Sequence, residues 1–239
     1  MMTSVDASRS AGDADIPARL AAVTERIARA ARDAGRDPGD VRLVAVSKFH
    51  ALRRIAAAHA AGQVAFGESR AQELDAKLAD GPPDSLWWHF VGSLQRNKVR
   101  LVAGRVALIH SVDRPALATA IAAHMQELGA CQDVLVQVNV AGEQRKSGCA
   151  PAQVLELAET IARLDGIRVT GLMAIPPLHD DPAPVFAELR ALRVRVAEMV
   201  PGVVELSMGM SGDLESAVVH GATIVRIGTA IFGARPRNR

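Results

Sequence analysis

At positions 41–48 the chain reads VRLVAVSK, a short apolar run that is rich in β-branched residues and ends in Lys48. A continuous run of this kind is typical of a strand that is buried on both faces of a parallel sheet. Lys48 is then expected at the carboxyl end of that strand, where desolvation lowers the pKa of an amine and makes it a nucleophile for an aldehyde. Taken alone, Lys48 also fits an ordinary strand-end lysine that reaches into water.

Seven further runs of this type follow in the 239-residue chain, and the gaps between the runs have helical period. Eight alternating strand and helix units predict an α/β fold, a single (β/α)8 TIM-type barrel, with a doubly wound open sheet as the alternative. The unit after Gly92 has a short predicted helix, 96–102. The predicted strands are 41–46, 64–67, 88–92, 106–110, 134–139, 168–172, 204–206 and 223–227.

One barrel domain is predicted over residues 16–234, between a disordered tail, 1–15, and a basic tail, 235–239. An extra helix, 16–34, is expected before the first strand, with Asp15 as its N-cap, Pro17 in its first turn and Gly35 as its stop signal. The domain organisation is therefore an N-terminal helix followed by the barrel.

The composition excludes several classes of protein. A formal net charge of +2, with the basic residues spread along the chain, gives a nucleic acid or an anionic membrane little to bind. No apolar run is long enough for a membrane span or resembles a signal peptide. Cys131 and Cys149 match neither a disulfide framework nor a zinc site, so we expect a cytoplasmic protein without metal.

Small and polar residues follow the last two predicted strands, at the edge where barrels of this kind place their active sites. Residues 207–213, SMGMSGD, follow strand seven, and Gly228 and Thr229 follow strand eight. Small residues let backbone N–H groups approach an anion, and Ser211 and Thr229 add hydroxyl donors, so the loops predict a phosphate site. Helix capping by Ser211 or Asp213 and a tight turn at Gly228 are the alternative.

A ligand that used Lys48 and both loops would carry an aldehyde at one end and a phosphate at the other. Pyridoxal 5′-phosphate (PLP) has this shape. Arg226 lies on strand eight, beside strand one in a closed barrel, and its guanidinium is expected to face the pyridine nitrogen. A permanent cation there keeps the nitrogen unprotonated and makes the ring a poorer electron sink. A salt bridge at the barrel rim is the alternative for Arg226.

Longer motifs contain these residues and follow one another along nearly the whole chain. They are AVSK at 45–48, FGESRAQE at 66–73, WHFVGSLQRNK at 88–98, HSVD at 110–113, QVN at 137–139, EQRKSG at 143–148, GLM at 171–173, LSMGMS at 206–211 and VRIGTAIFG at 225–233. In this order they resemble the pyridoxal phosphate homeostasis proteins, whose fold is like the barrel domain of alanine racemase.

The resemblance implies a set of cofactor-binding residues. Lys48 would form the internal aldimine with PLP, and Arg226 would contact the pyridine nitrogen. Lys146 would act as a second cation near the phosphate or as a transfer lysine. The chain departs from the family at Ser69, where the family usually has asparagine. The remaining candidates are Ser211, Gly228 and Thr229 for the phosphate, Asn139, Met173 and Ser207 as pocket lining, and His89.

The implied function is a PLP carrier that acts in intracellular PLP homeostasis, holds PLP as a reversible lysine aldimine and passes it to PLP-dependent apo-enzymes. We expect a monomer without catalytic residues. A weak PLP-dependent amino-acid racemase or related enzyme is the alternative. The related racemases use a tyrosine as acid and base and carry a second domain, whereas this chain contains no tyrosine and is short for that domain. His89, His110 or Cys149 would have to replace the tyrosine. A barrel for another sugar or nucleotide phosphate is a third possibility.

Overall fold

The computed structural model describes residues 15–143 and 145–234. Within these ranges, eight parallel strands form one closed barrel in which each strand pairs with its neighbours in sequence and β8 pairs with β1. The predicted (β/α)8 barrel is therefore confirmed, and the open sheet is excluded. The strands are β1 Arg42–Val46, β2 Ala65–Glu68, β3 Trp87–Phe90, β4 Leu108–Val112, β5 Gln132–Val138, β6 Ile167–Ala174, β7 Glu205–Ser207 and β8 Ile224–Ile227.

Helices cover the outside of the barrel. The α-helices are α1 Ile16–Asp33, α2 Leu52–Ala60, α3 Ala71–Ala79, α4 Pro115–Glu127, α5 Val154–Ala162, α6 Ala183–Met199, α7 Leu214–Val219 and α8 Thr229–Phe232. Short 3₁₀ helices span Pro38–Asp40, Arg96–Leu101 and Pro151–Gln153. The predicted helix 96–102 is therefore a 3₁₀ helix. In the described part of the chain, every helix is too short or too polar to cross a membrane.

The extra N-terminal helix, α1, begins as predicted and ends one residue before its predicted end, but its N-cap residue does not cap it as expected. Asp15 occupies the N-cap position, yet its carboxylate accepts a hydrogen bond from the Arg19 side chain and none from the helix backbone. At the other end, Gly35 has φ +68°. Its N–H donates to Arg32, and the N–H of Arg36 donates to Ala31, which is the Schellman pattern that ends a helix. The predicted tails, 1–15 and 235–239, lie outside the described residues except for Asp15.

Both faces of the sheet are buried, which explains the continuous apolar runs. Side chains such as Ala45 and Phe66 pack outward against the helices, while a smaller cluster fills the barrel interior. Val44 and Ala45 are neighbours in sequence and belong to these two different clusters, as the twofold period of a strand requires. The interior cluster consists of Val44, Ala65, Leu108, Leu135, Met173 and Ile224.

Four strands run past their predicted carboxyl ends, β2 and β7 by one residue and β4 and β6 by two. β4 starts two residues later than predicted and runs to Val112, so His110 and Ser111 lie within the strand, and β6 runs to Ala174 and includes Met173. The prediction ended β4 at its first polar residues. In a closed barrel, however, an inward-facing polar side chain can find a partner on another strand, and His110 does so.

One close contact between strands depends on a glycine. Gly171 on β6 lies opposite Glu205 on β7, and a Cβ atom at Gly171 would lie 2.2 Å from the carbonyl oxygen of Glu205. Since backbone cannot give way as a flexible side chain can, the spacing of β6 and β7 requires glycine here.

Replacing Gly171 with alanine is expected to lower the free energy of unfolding by about 1–3 kcal/mol, because β6 and β7 must move apart to admit the methyl group. Urea unfolding followed by circular dichroism measures this change. Gly212→Ala is the control, since a Cβ atom at Gly212 meets no atom within 4 Å, and its effect should stay within about 0.5 kcal/mol. Equal losses in the two variants would contradict the steric requirement at Gly171.

Candidate cofactor site

A cavity of about 660 Å³ opens at the carboxyl ends of the strands. This volume lies within the range of sites that bind small molecules. Its walls come from the ends of β1, β3 and β8 and from the loops that follow β6 and β7. Five of the residues predicted to bind the cofactor line it, namely Lys48, Ser211, Arg226, Gly228 and Thr229.

Lys48 lies two residues beyond the end of β1, in a turn closed by a hydrogen bond of 3.0 Å from the N–H of His50 to the carbonyl oxygen of Ser47. It is partly buried and contributes to the cavity wall. The turn therefore places a primary amine at the mouth of the barrel, as the sequence predicted from the end of the apolar run.

The loop after β7 forms a tight turn around Gly209, whose φ is +93°. A Cβ atom there would lie 2.6 Å from the Cβ atom of Ala217, so both the conformation and the packing favour glycine. The carboxylate of Asp213 accepts a hydrogen bond from the N–H of Met210, and the N–H of Asp213 donates to the Met210 carbonyl at 3.3 Å. Asp213 therefore shapes this loop and does not cap α7.

The two loops expose backbone donors to the cavity. Among the described residues, the N–H groups of Ser211, Gly212 and Gly228 have no backbone acceptor. Gly212 has open space at its Cβ position, and at Gly228 a Cβ atom would lie 3.1 Å from the carbonyl oxygen of Val46. These donors, with the hydroxyl groups of Ser211 and Thr229, suit a phosphate, and the amine of Lys48 suits an aldehyde, so the residues present fit PLP.

The N-terminal helix fastens the loop after β7 from outside. The Arg26 guanidinium binds both carboxylate oxygens of Glu215, at 2.8 and 2.9 Å, and donates to the carbonyl oxygen of Ser211 at 3.2 Å. The hydrogen bond from Arg26 lowers the pKa of Glu215, and Glu215 raises the pKa of Arg26. Sequence reasoning missed this pair because Arg26 and Glu215 stand near opposite ends of the chain and neither belongs to a strand end.

Arg226 begins a hydrogen-bonded chain that crosses the barrel interior. Its guanidinium donates from Nη2 to the carbonyl oxygen of Ala174 at 2.9 Å and from Nη1 to Oγ of Ser207 at 2.6 Å. Oγ of Ser207 lies 2.8 Å from Nδ1 of His110, and Nε2 of His110 lies 2.9 Å from Nδ1 of His89. Arginine can only donate, so Oγ of Ser207 accepts from Arg226, whereas the direction of the bonds among Ser207, His110 and His89 depends on the tautomers of the two imidazoles. We name these four residues, Arg226, Ser207, His110 and His89, the interior chain.

Burial sets the charge of the interior chain. It lowers the pKa of His89 to about 4, with a further contribution from the charge of Arg42, and it lowers the pKa of His110 well below 6.5. It also lowers the pKa of Arg226 to about 10, which leaves this residue cationic at neutral pH. At pH 7 the interior chain therefore contains one charged group, the Arg226 guanidinium, followed by a neutral hydroxyl and two neutral imidazoles.

Comparison with known proteins agrees with this architecture. Residues 18–236 match the family model of the alanine racemase N-terminal domain. The chain is 45% identical, over 223 residues, to the pyridoxal phosphate homeostasis protein of Pseudomonas aeruginosa, and the match covers 92% of this chain and 96% of that protein. The chain belongs to the pyridoxal phosphate homeostasis protein family. The resemblance of the sequence motifs is thereby confirmed.

A protein of similar structure is PipY of Synechococcus elongatus, which is 37% identical to this chain. The structure of PipY without PLP has a TM-score of 0.82 and covers 91% of this chain and 100% of PipY. The structure with PLP bound has a TM-score of 0.77 and covers 88% of this chain and 100% of PipY.

The other six predicted site residues do not line the cavity, and four of them lie in the barrel interior or in a separate groove. Met173 points into the barrel interior, below the mouth, and Ser207 belongs to the interior chain together with His89. Ser69 lines a separate groove with Arg70 and Lys98. The motifs name these positions, but the direction of each side chain depends on strand register, which a motif does not specify.

Asn139 and Lys146 organise the loop after β5. The Asn139 amide donates to the Glu143 carbonyl at 2.9 Å and accepts from the Glu143 N–H at 3.2 Å. The ammonium of Lys146 lies 2.6 Å from the Glu143 carboxylate and donates to the carbonyl oxygen of Pro176 at 3.0 Å. Lys146 thus joins the loop after β5 to the loop after β6.

The loop after β6 is part of the site that sequence reasoning did not foresee. Residues of this loop cover one side of the cavity, where Ile175 and Leu178 are exposed. A stretch rich in proline and aspartate indicates a loop, but nothing local shows which strand end it will cover. Its lining residues are Ile175, Pro177, Leu178, Asp180, Asp181 and Pro182.

The lowered pKa of His89 in the interior chain predicts how the stability of the protein depends on pH. Below pH 6.5 the unfolded chain takes up a proton on His89, whereas the folded protein does so only near pH 4, so folding stability falls as the pH falls through this window. His89→Gln keeps a side chain that can donate to His110 or accept from it, and it removes the titration. Below pH 6.5 the slope of stability against pH should therefore be about 1.4 kcal/mol per pH unit smaller in His89→Gln than in the parental protein. Urea titrations at pH 7, 6 and 5 measure both slopes.

The same two proteins supply the control for this prediction. At pH 8 and above, His89 is almost fully deprotonated in both the folded protein and the unfolded chain, so the difference in stability between the parental protein and His89→Gln should be constant there. Parallel curves from pH 8 to 5 would show that His89 is protonated in the folded protein as readily as in the unfolded chain.

Proposed function

We propose that this protein binds PLP through Lys48, holds it in a reversible covalent form and acts in PLP homeostasis. The observation that carries the proposal is the single cavity in which Lys48, Arg226 and the donors of Ser211, Gly228 and Thr229 meet. Membership of the pyridoxal phosphate homeostasis family and the PLP-bound structure of the relative PipY support it.

Each group at the cavity has one task in this proposal. When bound, PLP supplies an aldehyde that condenses reversibly with a primary amine and releases one water molecule. Lys48 supplies the amine and must lose a proton before it can act as a nucleophile. Ser211, Gly228 and Thr229 hold the phosphate, which fixes the distance between the aldehyde and the amine.

Arg226 favours storage over chemistry on the bound cofactor. Its guanidinium lines the cavity and is held from behind by Ser207 and the carbonyl of Ala174. A fixed cation at this wall would keep a pyridine nitrogen bound beside it unprotonated, and an unprotonated ring withdraws electrons weakly. A proton bound to an amino-acid carbon is then hard to remove, which suits a carrier.

We further propose that the protein releases PLP to PLP-dependent apo-enzymes. Because such a condensation is reversible, Lys48 would hold the cofactor in a form that another amine could accept. In this proposal Lys146 assists release, because it joins the loop after β5 to the loop after β6, and the loop after β6 covers the cavity. A direct role as transfer lysine would require its contacts with Glu143 and Pro176 to break.

We propose that the protein works as a cytoplasmic monomer.

Replacing Lys48 with alanine is expected to abolish the covalent adduct, because the amine that reacts with PLP is removed. The measurement is the visible absorption spectrum of protein mixed with PLP, followed by borohydride reduction and peptide mass mapping. Far-ultraviolet circular dichroism should remain that of the parental protein.

Lys146→Ala is the matched control, since Lys146 lies near the mouth but not on the cavity wall, and it should still carry the adduct on Lys48. An adduct that persists in Lys48→Ala would transfer the proposed role to another lysine. A parental protein that takes up no PLP would return the chain to a barrel for another phosphate ligand.

The alternative of a weak amino-acid racemase makes a different prediction. Racemisation removes the α-proton of an amino acid and replaces it from solvent, so alanine incubated with PLP-loaded protein in heavy water would gain deuterium. The chain has no tyrosine, and His89 and His110 form hydrogen bonds to each other inside the barrel. We therefore expect no exchange above that of free PLP, measured by proton NMR. Exchange that disappears in Lys48→Ala would establish the enzyme.

A further inference from the structure

The motif at 66–73 contains charged residues that the cavity does not use. Glu68, Glu73 and Lys77 form a cluster on the outer side of the barrel wall, between β2 and α3, which we name the outer ion cluster. The ammonium of Lys77 donates to Oε1 of Glu68 at 2.6 Å, to Oε1 of Glu73 at 2.9 Å and to the carbonyl oxygen of Ser47 at 3.0 Å. These three bonds use every donor that a lysine has.

The outer ion cluster holds the chain on both sides of Lys48. Before Lys48, the Ser47 hydroxyl donates to Oε1 of Glu68 at 2.6 Å, and the Ser47 carbonyl accepts from Lys77. After Lys48, the backbone N–H of Phe49 donates to Oε1 of Glu73 at 2.6 Å. The peptide groups that flank Lys48 are therefore fixed to β2 and α3.

The segment held in this way is strained. Phe49 has φ +67°, and it is the one residue other than glycine with a positive φ in the described part of the chain. A bulky residue keeps this conformation only where its surroundings impose it, and such residues are concentrated at functional sites. Here Glu73 binds the Phe49 N–H, and the Arg70 guanidinium lies 4.6 Å from the centre of the Phe49 ring.

Stability alone does not account for the outer ion cluster. Glu68 is fully buried, and in the described residues its Oε2 atom has no hydrogen-bond partner. Burial raises the pKa of Glu68, which shows that its charge is held in an unfavourable environment despite Lys77. Buried ion pairs of this kind are often replaceable by apolar residues without loss of stability, so a gain in stability is a weak explanation for this cluster.

We propose that Glu68, Glu73 and Lys77 are positioning residues for Lys48. They hold the strained segment Ser47–Phe49 in the one conformation that directs the Lys48 amine into the cavity. The inference rests on the proposed role of Lys48 as the amine that receives PLP, and it adds residues outside the cavity that determine how well this amine meets the aldehyde.

The test uses four variants of the full-length protein on α3. Glu73→Leu removes the acceptor of the Phe49 N–H, whereas Glu73→Gln removes only the charge and keeps an oxygen acceptor. Lys77→Met removes the cation. Asp75→Asn is the control, because Asp75 lies on the same helix and loses an ion pair with Arg105 that does not touch Lys48.

The first readout is the rate at which PLP attaches to Lys48, followed by absorbance and mapped after reduction. Glu73→Leu and Lys77→Met should each slow attachment by about tenfold to a hundredfold, since a small misplacement of a reacting group has effects of this size. Glu73→Gln should recover most of the rate lost in Glu73→Leu, and Asp75→Asn should match the parental rate. If these residues acted on Lys48 only through their charges, Glu73→Leu and Lys77→Met would change the attachment rate in opposite directions.

The second readout needs no cofactor. Amide hydrogen exchange of Phe49 in the PLP-free protein should become faster in Glu73→Leu and Lys77→Met but not in Glu73→Gln or Asp75→Asn, because only the first two release the segment. Lys48 should still react with formaldehyde and cyanoborohydride at nearly the parental rate in all four variants, since so small an aldehyde reaches the amine in any orientation.

These readouts separate the two proposals. If parental Lys48 reacts with formaldehyde but not with PLP, the proposed function fails. Amide hydrogen exchange of Phe49 then still tests whether Glu73 and Lys77 fix the segment Ser47–Phe49. If the parental protein takes up PLP and a folded Glu73→Leu variant does so equally fast with unchanged Phe49 exchange, the positioning role is overturned. Opposite rate changes in Glu73→Leu and Lys77→Met would overturn it too. If Lys77→Met does not fold, the comparison of the two Glu73 variants remains decisive.

Discussion

The pairing of β1 with β8 is the contact on which the site depends. It closes the sheet, and its register places Val44 opposite Arg226 and Ala45 opposite Ile227. Lys48, just beyond β1, and Arg226, on β8, therefore reach the same cavity. In an open sheet with the same strands, these two residues would be separated wherever β1 and β8 were not neighbours.

The wall of the barrel supports Lys48 and Arg226, two basic residues of the site, from opposite sides. The interior chain holds the Arg226 guanidinium from inside, through Ser207 and the histidines behind it. The outer ion cluster holds the segment around Lys48 from outside, through Lys77 and Glu73. Both networks bury polar groups, which is costly unless these groups bind one another, and the bonds they form leave the side chains few alternative orientations.

Sequence reasoning found the parts of the site that follow from local rules. Lys48 ends an apolar run, and Ser211, Gly228 and Thr229 stand in small-residue loops after strands, so their place at the barrel mouth follows from the rule that catalytic and binding groups gather at strand carboxyl ends. It did not foresee that Ser207 and Met173 face the interior below the cavity. A shift of one residue in strand register turns a side chain to the other face, and the motifs do not contain that information.

Hydrophobic periodicity in the sequence by itself determined the number, order and approximate bounds of the strands, because burial on both faces demands continuous apolar runs. Only the tertiary structure decided which distant residues meet: Arg26 with Glu215, Lys146 with Pro176, and Lys77 with Ser47. Each of these contacts joins elements that are remote in sequence and become neighbours only when the barrel closes. Local propensities do not encode such distances, since the final bond depends on the packing of every element between the two partners.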